Sequence, residues 1–318
     1  MRITYLTLAL LLYFFVHPAV AVSLAYPTGT LNANEIAEQV YLVSHGKLLK
    51  SSSSTKNKKA IPLVVTRAPL EKRKPGRKPT VNTFDTYGKS RPEDPLLDSL
   101  QMAMITSGKI KGTGTLYTNY KDPNKGDVVS LWLPALRKLR RINQPAHDDK
   151  WIGSNLTYGE LILRRPEHEE HELIAEAIFD DCLLAMELQN WEINRYTKRL
   201  PKSSCAHKGK PIYKLKSTTK FKNWWYDYHI SEIDKETFAI YRTVYFKNGE
   251  KVKTITVDWQ SLGQEDPRII FPHYIYAVSH EDGSDTMIHV PLETITLNPD
   301  IPDSFWSEES LKEQGSKY

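Results

Sequence analysis

The sequence is poor in cysteine, and its two cysteines form no metal-binding or redox motif. Cys182 and Cys205 are the only ones in 318 residues. The absence of a C-x-x-C pair argues against a zinc ribbon and against a thioredoxin-type site. An oxidising compartment favours pairing of the two thiols, so we expect a disulfide between them, with two free thiols as the alternative.

Motifs of common enzyme and nucleotide-binding sites are also missing. The sequence contains no G-x-S-x-G, no Walker A loop and no G-x-G-x-x-G. The H-E-E-H-E run at residues 168–172 lacks the spacing of a zinc protease, which favours a solvated acidic turn. The sequence therefore predicts no catalytic residues, no metal, no cofactor and no enzyme activity.

The chain has little excess charge of either sign. Its net charge of +5 does not by itself require an anionic partner. The basic run K-R-K-P-G-R-K-P at residues 72–79 resembles a minor-groove hook for DNA. A solvated loop is the favoured interpretation, and contact with anionic head groups is the third option. We expect no nucleic-acid partner and a monomer.

A long apolar run occurs only at the N-terminus. Residues 5–16 are almost wholly apolar, follow Arg2, and precede the small-x-small sequence Ala19-Val20-Ala21. About a dozen residues are too few to span a bilayer comfortably. This pattern predicts a cleavable signal peptide at residues 1–21, with an uncleaved anchor as the alternative. We expect export to the periplasm and a single domain over residues 22–318.

One amphipathic helix is indicated near the start of the mature chain. Asn32 and Glu35 have the spacing of a capping box. Ile36, Val40 and Val43 then recur at helical intervals and form one apolar stripe. The pattern predicts a helix that covers a hydrophobic surface.

Strand patterns dominate the rest of the chain. The serine- and lysine-rich tract at residues 51–59 predicts a mobile loop. Asn248 and Gly249 predict a type I′ hairpin turn. Strands are expected at residues 61–66, 81–87, 113–120, 128–133, 173–179, 182–188, 225–233, 237–246, 251–259, 270–278 and 287–296. This succession predicts a mainly β (α+β) fold, a curved antiparallel half-barrel sheet covered by one or more helices.

Three blocks of sequence resemble one known family. They are G-T-G-T-L at residues 112–116, W-L-P-A-L-R-K-L-R-R-I at 132–142 and G-S-N-L-T-Y-G-E-L at 153–161. Their order and spacing are similar to those of the LolA-like outer-membrane lipoprotein-sorting family. The chain departs from that pattern at Asn155, where the family usually has Asp, at Gly159 and Glu160, and in a longer segment over residues 182–212.

The resemblance implies a LolA/LolB-like half-barrel whose apolar interior accepts acyl chains of a lipid or lipoprotein. It also implies a periplasmic carrier in lipoprotein sorting or lipid transport, and many relatives are thought to work beside RND-type exporters. An accessory, non-transporting partner of such an exporter is the alternative, and a periplasmic hydrolase is a remote one. The ligand-binding residues implied by the motifs are Trp132, Pro134, Arg137, Arg140, Arg141, Gly153, Ser154 and Tyr158.

The alternating strands, the single amphipathic helix and the resemblance together lead to an expected cavity and lid. The lid would be the helix face with Ile36, Val40 and Val43. A cavity of about 300–1,000 Å³ is expected, walled by the strands at 113–120, 225–233 and 237–246. The three motif arginines have two interpretations, recognition of an anionic head group or structural ion pairs with Asp127, Asp148 or Asp149.

Overall fold

The computed structural model describes residues 25–122, 124–143 and 146–318. The predicted signal peptide, residues 1–21, lies outside the described residues. The described chain forms helices α1 (Ala33–Ser44) and α2 (Glu308–Ser316). Its strands are β1 (Ser51–Ser54), β2 (Leu63–Arg67), β3 (Thr80–Ser90), β4 (Leu97–Ile105), β5 (Gly114–Tyr120), β6 (Val128–Leu133), β7 (Lys138–Asn143), β8 (Glu169–Ile178), β9 (Pro211–Thr219), β10 (Tyr228–Asp234), β11 (Ile240–Lys247), β12 (Glu250–Ser261), β13 (Ile270–Ser279), β14 (Asp285–His289) and β15 (Ile295–Leu297).

All the strands belong to one antiparallel sheet that is open at both ends. The main path runs β7-β6-β5-β4-β3-β2-β14-β13-β12-β11-β10-β9-β8. Strand β1 leaves this path as a branch, because it pairs with β3 on one side and with β15 on the other. The mainly β, antiparallel architecture predicted from the sequence is confirmed.

Local sequence signals give the expected local structures. The Asn32 side chain accepts hydrogen bonds from the backbone of Asn34 and Glu35, and the Glu35 carboxylate accepts one from the Asn32 N–H at 2.8 Å. Asn248 and Gly249 have φ values of 51° and 82°, which the type I′ turn between β11 and β12 requires. The capping box and the hairpin are therefore confirmed.

Several segments differ from the predictions. Residues 287–296, expected as one strand, form the end of β14 and the start of β15 with a 3₁₀ turn between them. Residues 51–54 form strand β1 rather than part of a mobile loop, because long-range pairing with β3 and β15 overrides their polar composition. Residues 182–188 form no strand. They lie near the start of a long connection over residues 179–210, which contains two short 3₁₀ turns and an isolated bridge between Leu183 and Ser204.

The sheet has two covered faces. The face that we call inner is covered by α1 and by the loop over residues 146–165. For example, Asn155 contacts Thr286 of β14. The opposite face, here called outer, is crossed by the connection over residues 179–210, where the Leu184 carbonyl accepts a hydrogen bond from Thr256 of β12. Leu183 and Met186 of the connection are buried in the main core.

The disulfide between Cys182 and Cys205 is confirmed. It joins two parts of the same connection 23 residues apart, so it restrains the segment that crosses the outer face.

A second, smaller core lies under helix α2 on β4, β5 and β6. Leu311 of α2 and Trp306 pack there against Met102 and Trp132. Gly315 is required in α2, because a Cβ at that position would collide with the indole ring of Trp132.

Candidate functional site

An apolar cavity of about 230 Å³ lies between the inner face and its cover. Its volume is below the predicted range. Tyr117 is its only lining residue from the strands predicted to wall it, and none comes from residues 225–246. The expected location was therefore wrong. Apolar lining side chains include Val43, Leu49, Phe84, Trp151, Leu161, Ile270, Phe271, Ile288 and Val290.

The floor of this cavity is made of small side chains. Ser52 of β1 pairs directly with Gly88 of β3, Ser54 pairs with Thr86, and Thr86 pairs with Ala103 of β4. Directly opposed residues of an antiparallel pair point to the same face. Four short side chains and Gly88, which has none, therefore adjoin one another on the inner face, and the cover does not fill the space above them.

The end of helix α1 forms one wall of the cavity and is fixed in place by polar contacts. His45 lies within hydrogen-bond distance of the carbonyl oxygens of Tyr41, at 3.2 Å, and Ile162, at 3.1 Å. Burial lowers the pKa of His45 to about 3, so the ring is neutral at neutral pH. Lys47, just beyond the helix, forms an ion pair with Asp98.

The lid residues predicted from the sequence have different surroundings. Val43 lines the cavity, whereas Ile36 and Val40 do not. Ile36 is fully buried in the main core, and Val40 is half-buried against it. The helix covers the inner face as expected, but only its C-terminal end is next to the cavity.

The tryptophan and arginine block predicted to bind ligand lies away from the cavity. Trp132 is buried beneath α2, and Pro134 begins a short 3₁₀ turn. Arg137, Arg140 and Arg141 are exposed at or on β7, the end strand of the sheet. Within the described residues the three arginines form no ion pair, since Asp127 pairs with Arg165 instead. The structural ion-pair interpretation of the arginines is therefore not supported.

Most of the third motif block packs beside the cavity, and within it Leu161 lines the cavity. Gly153 has a φ of 70°, as a tight turn requires, and Ser154 is 1 % exposed. The Tyr158 ring lies against Tyr117, with 6.0 Å between the ring centres. Asn155 donates from Nδ2 to the Ser284 carbonyl at 2.7 Å. An Asp carboxylate could not donate that bond, so the departure from the family pattern has a structural role here.

A buried polar network on the inner face was not recognised in the sequence. Glu169 accepts a hydrogen bond from the Tyr226 hydroxyl at 2.8 Å and contacts His229 Nε2 at 3.0 Å. Burial alone would raise the pKa of Glu169, but the nearby His229 and Arg164 hold it well below its usual range. The other ring nitrogen of His229, Nδ1, lies 3.3 Å from the hydroxyl oxygen of Ser231.

The Ser231, His229 and Glu169 side chains have the order of a catalytic triad, but they are packed as a core. Their exposed fractions are 3 %, 5 % and 6 %, and none of them lines the three pockets described in this structure. Ser231 also bonds Thr243 at 3.0 Å. A nucleophile needs an adjacent space for the substrate, and the burial of these three side chains leaves little room for one.

Two features are absent from the described residues, a cluster of metal ligands and a membrane-spanning helix. In residues 25–122, 124–143 and 146–318, no three His, Cys, Asp or Glu side chains are grouped to hold a metal ion. The same residues contain no helix of the length and apolarity needed to cross a membrane.

Solved structures from three bacteria resemble this fold. An outer membrane lipoprotein-sorting protein domain from Vibrio parahaemolyticus superposes with a TM-score of 0.63 at 15 % identity, covering 88 % of this chain and 98 % of that one. A DUF1329 family protein from Desulfovibrio piger gives 0.63 at 16 % identity, with 89 % and 100 % covered. A LolA superfamily protein from Nitrosomonas europaea gives 0.54 at 11 % identity, with 88 % and 100 % covered.

No curated protein matches the chain. A family model described as "-like: Uncharacterized protein" matches residues 98–200 and 185–313, which is more than half of the sequence. The fold implied by the three motif blocks is confirmed by the structural relatives. The chain therefore belongs to the family of that model, and by fold it is a LolA-like protein.

Proposed function

We propose that the protein is a periplasmic carrier that binds an acyl chain of a lipid or lipidated protein in the inner-face cavity. The apolar cavity of about 230 Å³ above a floor of small side chains is the observation that supports this proposal. Export by the signal peptide at residues 1–21 would bring the protein to the periplasm. The LolA-like fold agrees with a carrier and with the absence of enzyme activity.

The size of the cavity suits part of one acyl chain rather than a whole lipid. Each methylene removed from water contributes about 0.8 kcal/mol, so a short buried segment gives moderate affinity and allows release. Val43 at the end of α1 lines the cavity, so movement of this helix end, with release of the His45 contact to the Ile162 carbonyl, would enlarge it. We assign the lid role to this end of α1, with Ile36 and Val40 anchoring the rest of the helix.

The exposed arginines of the motif block provide a separate contact with an anionic surface. Arg137, Arg140 and Arg141 lie on the sheet end without ion-pair partners among the described residues. Guanidinium groups bind phosphate and carboxylate oxygens in a forked geometry. In this proposal they meet head groups during loading or release, while Trp132 and Pro134 hold the turn that presents them.

Occupancy of the cavity is testable with one pair of matched variants. Ala103→Leu places a larger side chain on the cavity floor, whereas Ala175→Leu makes the same change on the exposed face of β8. A fluorescent fatty acid should bind the native protein in a saturable way. The larger side chain in Ala103→Leu should take up the room of about two methylenes, so binding of the fatty acid should weaken by roughly tenfold. Binding by Ala175→Leu should equal that of the native protein.

Equal affinity of both variants, or no saturable binding to native protein of normal stability, would contradict the carrier function. The second candidate, an accessory subunit of an RND-type exporter, would then be favoured. Its supporting observation is the two end strands of the sheet, β7 and β8, whose outer edges pair with no other strand of the described residues, and β8 exposes Ile174 and Ile178. Unpaired strand edges are surfaces that can accept a strand from another protein.

A further inference from the structure

A second pocket, of about 590 Å³, opens on the outer face of the sheet. One side is formed by the loop between β1 and β2, and the other by the connection over residues 179–210. The ends of β13 and β14 lie between them. Its lining residues are Lys56, Lys59, Ala60, Ile61, Leu63, Arg195, Tyr196, Lys198, Arg199, His273, His289, Pro291 and Glu293.

Positive charge is concentrated around this pocket, which we call the basic pocket. Five lining side chains are Lys or Arg and one is Glu, so its formal charge is +4 (5 − 1), against +5 for the whole chain. None of the five cations takes part in an ion pair with another described residue. Unpaired like charges around one concavity create a field that attracts an anion.

One residue that lines the pocket, His289, carries a buried ring nitrogen that is not satisfied by any described residue. His289 is 6 % exposed, and its Nδ1 has no hydrogen-bond partner among the described residues. Burial, with a smaller effect of His273, lowers the pKa of His289 to about 4. The neutral ring carries one N–H that can donate a hydrogen bond. Buried polar groups without partners are uncommon in folded proteins.

One of the cations is oriented by a neighbouring ring. The Arg195 guanidinium carbon lies 4.6 Å from the centre of the Tyr196 ring, and Arg195 Nη2 donates to the Tyr196 hydroxyl at 2.7 Å. The guanidinium is thereby held at the pocket in a defined position. A guanidinium group that is already oriented loses less conformational freedom when it binds an anion than a freely moving one does.

We propose that the basic pocket binds a phosphate group carried by an organic molecule. Guanidinium- and ammonium-bearing residues from two chain segments line the pocket, and such groups match the several oxygens and the charge of a phosphate ester. A pocket of about 590 Å³ is far larger than a bare phosphate needs, so it has room for the carrier of that phosphate. The site is distinct from the acyl cavity and does not depend on it.

The two pockets lie on opposite faces of the same strand ends. Three successive residues at the end of β14 show this. Ile288 and Val290 line the acyl cavity, whereas His289 between them lines the basic pocket. Successive side chains of an extended strand point to opposite faces. Phosphate binding can therefore be measured with the acyl cavity empty or full, and failure of one function would not imply failure of the other.

The test is calorimetric titration of the full mature protein with inorganic phosphate, glycerol 3-phosphate and monomeric dioctanoyl phosphatidic acid. Both organic phosphates should bind more tightly than inorganic phosphate. A further gain with phosphatidic acid that persists in Ala103→Leu, where the acyl cavity is filled, would identify a lipid as the carrier, and no such gain would identify a water-soluble phosphate ester. Equal or tighter binding of inorganic phosphate would overturn the assignment of an organic carrier.

Matched double variants separate this pocket from general surface charge. Lys198→Ala with Arg199→Ala removes one Lys and one Arg from the pocket, and Arg77→Ala with Lys78→Ala removes the same pair from an exposed loop elsewhere. All four side chains are exposed, so both proteins should melt like the native one. Affinity for the best organic phosphate should fall by about tenfold or more in the first variant and by less than about twofold in the second. Equal weakening in both, or no saturable binding of any probe, would overturn the proposal.

Discussion

The most informative stability test concerns Arg67, which links the outer-face connection to the sheet. Its Nε donates to Asp285 at 2.8 Å, and its Nη2 completes a two-pronged ion pair with the same carboxylate. Its Nη1 donates to the Glu187 carbonyl at 2.6 Å and to Glu192 at 3.2 Å. The side chains of Arg67, Asp285 and Glu192 are 9 %, 2 % and 4 % exposed. One guanidinium therefore joins β2, β14 and the connection.

Replacing Arg67 with Met keeps the apolar volume and removes the charge. Asp285 then retains Arg73 and the Tyr276 hydroxyl as partners, whereas the buried Glu192 loses its ion pair. Breaking a buried ion pair by removing one partner costs about 3–5 kcal/mol. At roughly 2 °C per kcal/mol for a domain of this size, the melting temperature should fall by roughly 6–10 °C.

Urea unfolding of the native protein and two variants measures this effect. The control is Arg91→Met, since Arg91 pairs with Asp303, which is 70 % exposed, and such a pair contributes less than about 1 kcal/mol. A loss of stability in Arg67→Met no larger than in Arg91→Met would refute the reasoning. Limited proteolysis gives a second readout, because cleavage within residues 179–210 should accelerate in Arg67→Met alone.

Four further predictions concern other parts of the molecule. Asn32→Ala removes the helix cap and should lower the free energy of unfolding by about 1 kcal/mol in urea titrations. Reduction of the disulfide, which spans 23 residues, should cost about 3 kcal/mol in the same assay. Arg140→Ala with Arg141→Ala should leave the melting temperature unchanged, because both side chains are exposed and unpaired with any described residue. Although burial alone would raise it, hydrogen bonds from two histidines hold the pKa of Asp258 at about 2. The ionised carboxylate thus stabilises the fold above its unfolded pKa of about 4, and the advantage of native protein over Asp258→Asn should vanish between about pH 4 and pH 2.

The sequence predicts local structure here better than it predicts strand pairing. The capping box at Asn32 and the Asn248-Gly249 turn depend on neighbouring residues and are correct in detail. Strands β4, β7 and β9 were missed. Five of the six residues of β7 are exposed at the end of the sheet, so its sequence shows no alternation of apolar and polar residues. The serines of β1 form a strand only because two distant strands pair with them.

The candidate sites show the same contrast between local structure, which the sequence predicts well, and long-range packing, which it does not. The motif blocks indicated the correct fold, yet Val43 is the only residue among the eleven predicted ligand and lid residues that lines the cavity. Trp132 is needed for packing under α2, and Ser154 for a buried turn. A sequence motif shows that residues matter together, but it does not distinguish a binding surface from the packing that supports one.

Both pockets arise from the way in which the sheet divides at β3. One edge of β3 pairs first with β2, through residues 80–83, and then with β1, through residues 86–89. Strands β2 and β14 thus separate from the β1–β15 branch, and the chain must bridge the gap through residues 55–62 and 290–294. Strands on each side of a division diverge as the sheet twists, so side chains cannot close it completely. The small residues on the inner side leave an apolar cavity, and the lysines of the bridging loop leave a basic pocket on the outer side.

A change that closes the division, such as a shorter β1–β2 loop, should therefore alter both pockets at once, whereas the variants at Ala103 and at Lys198 should each alter one.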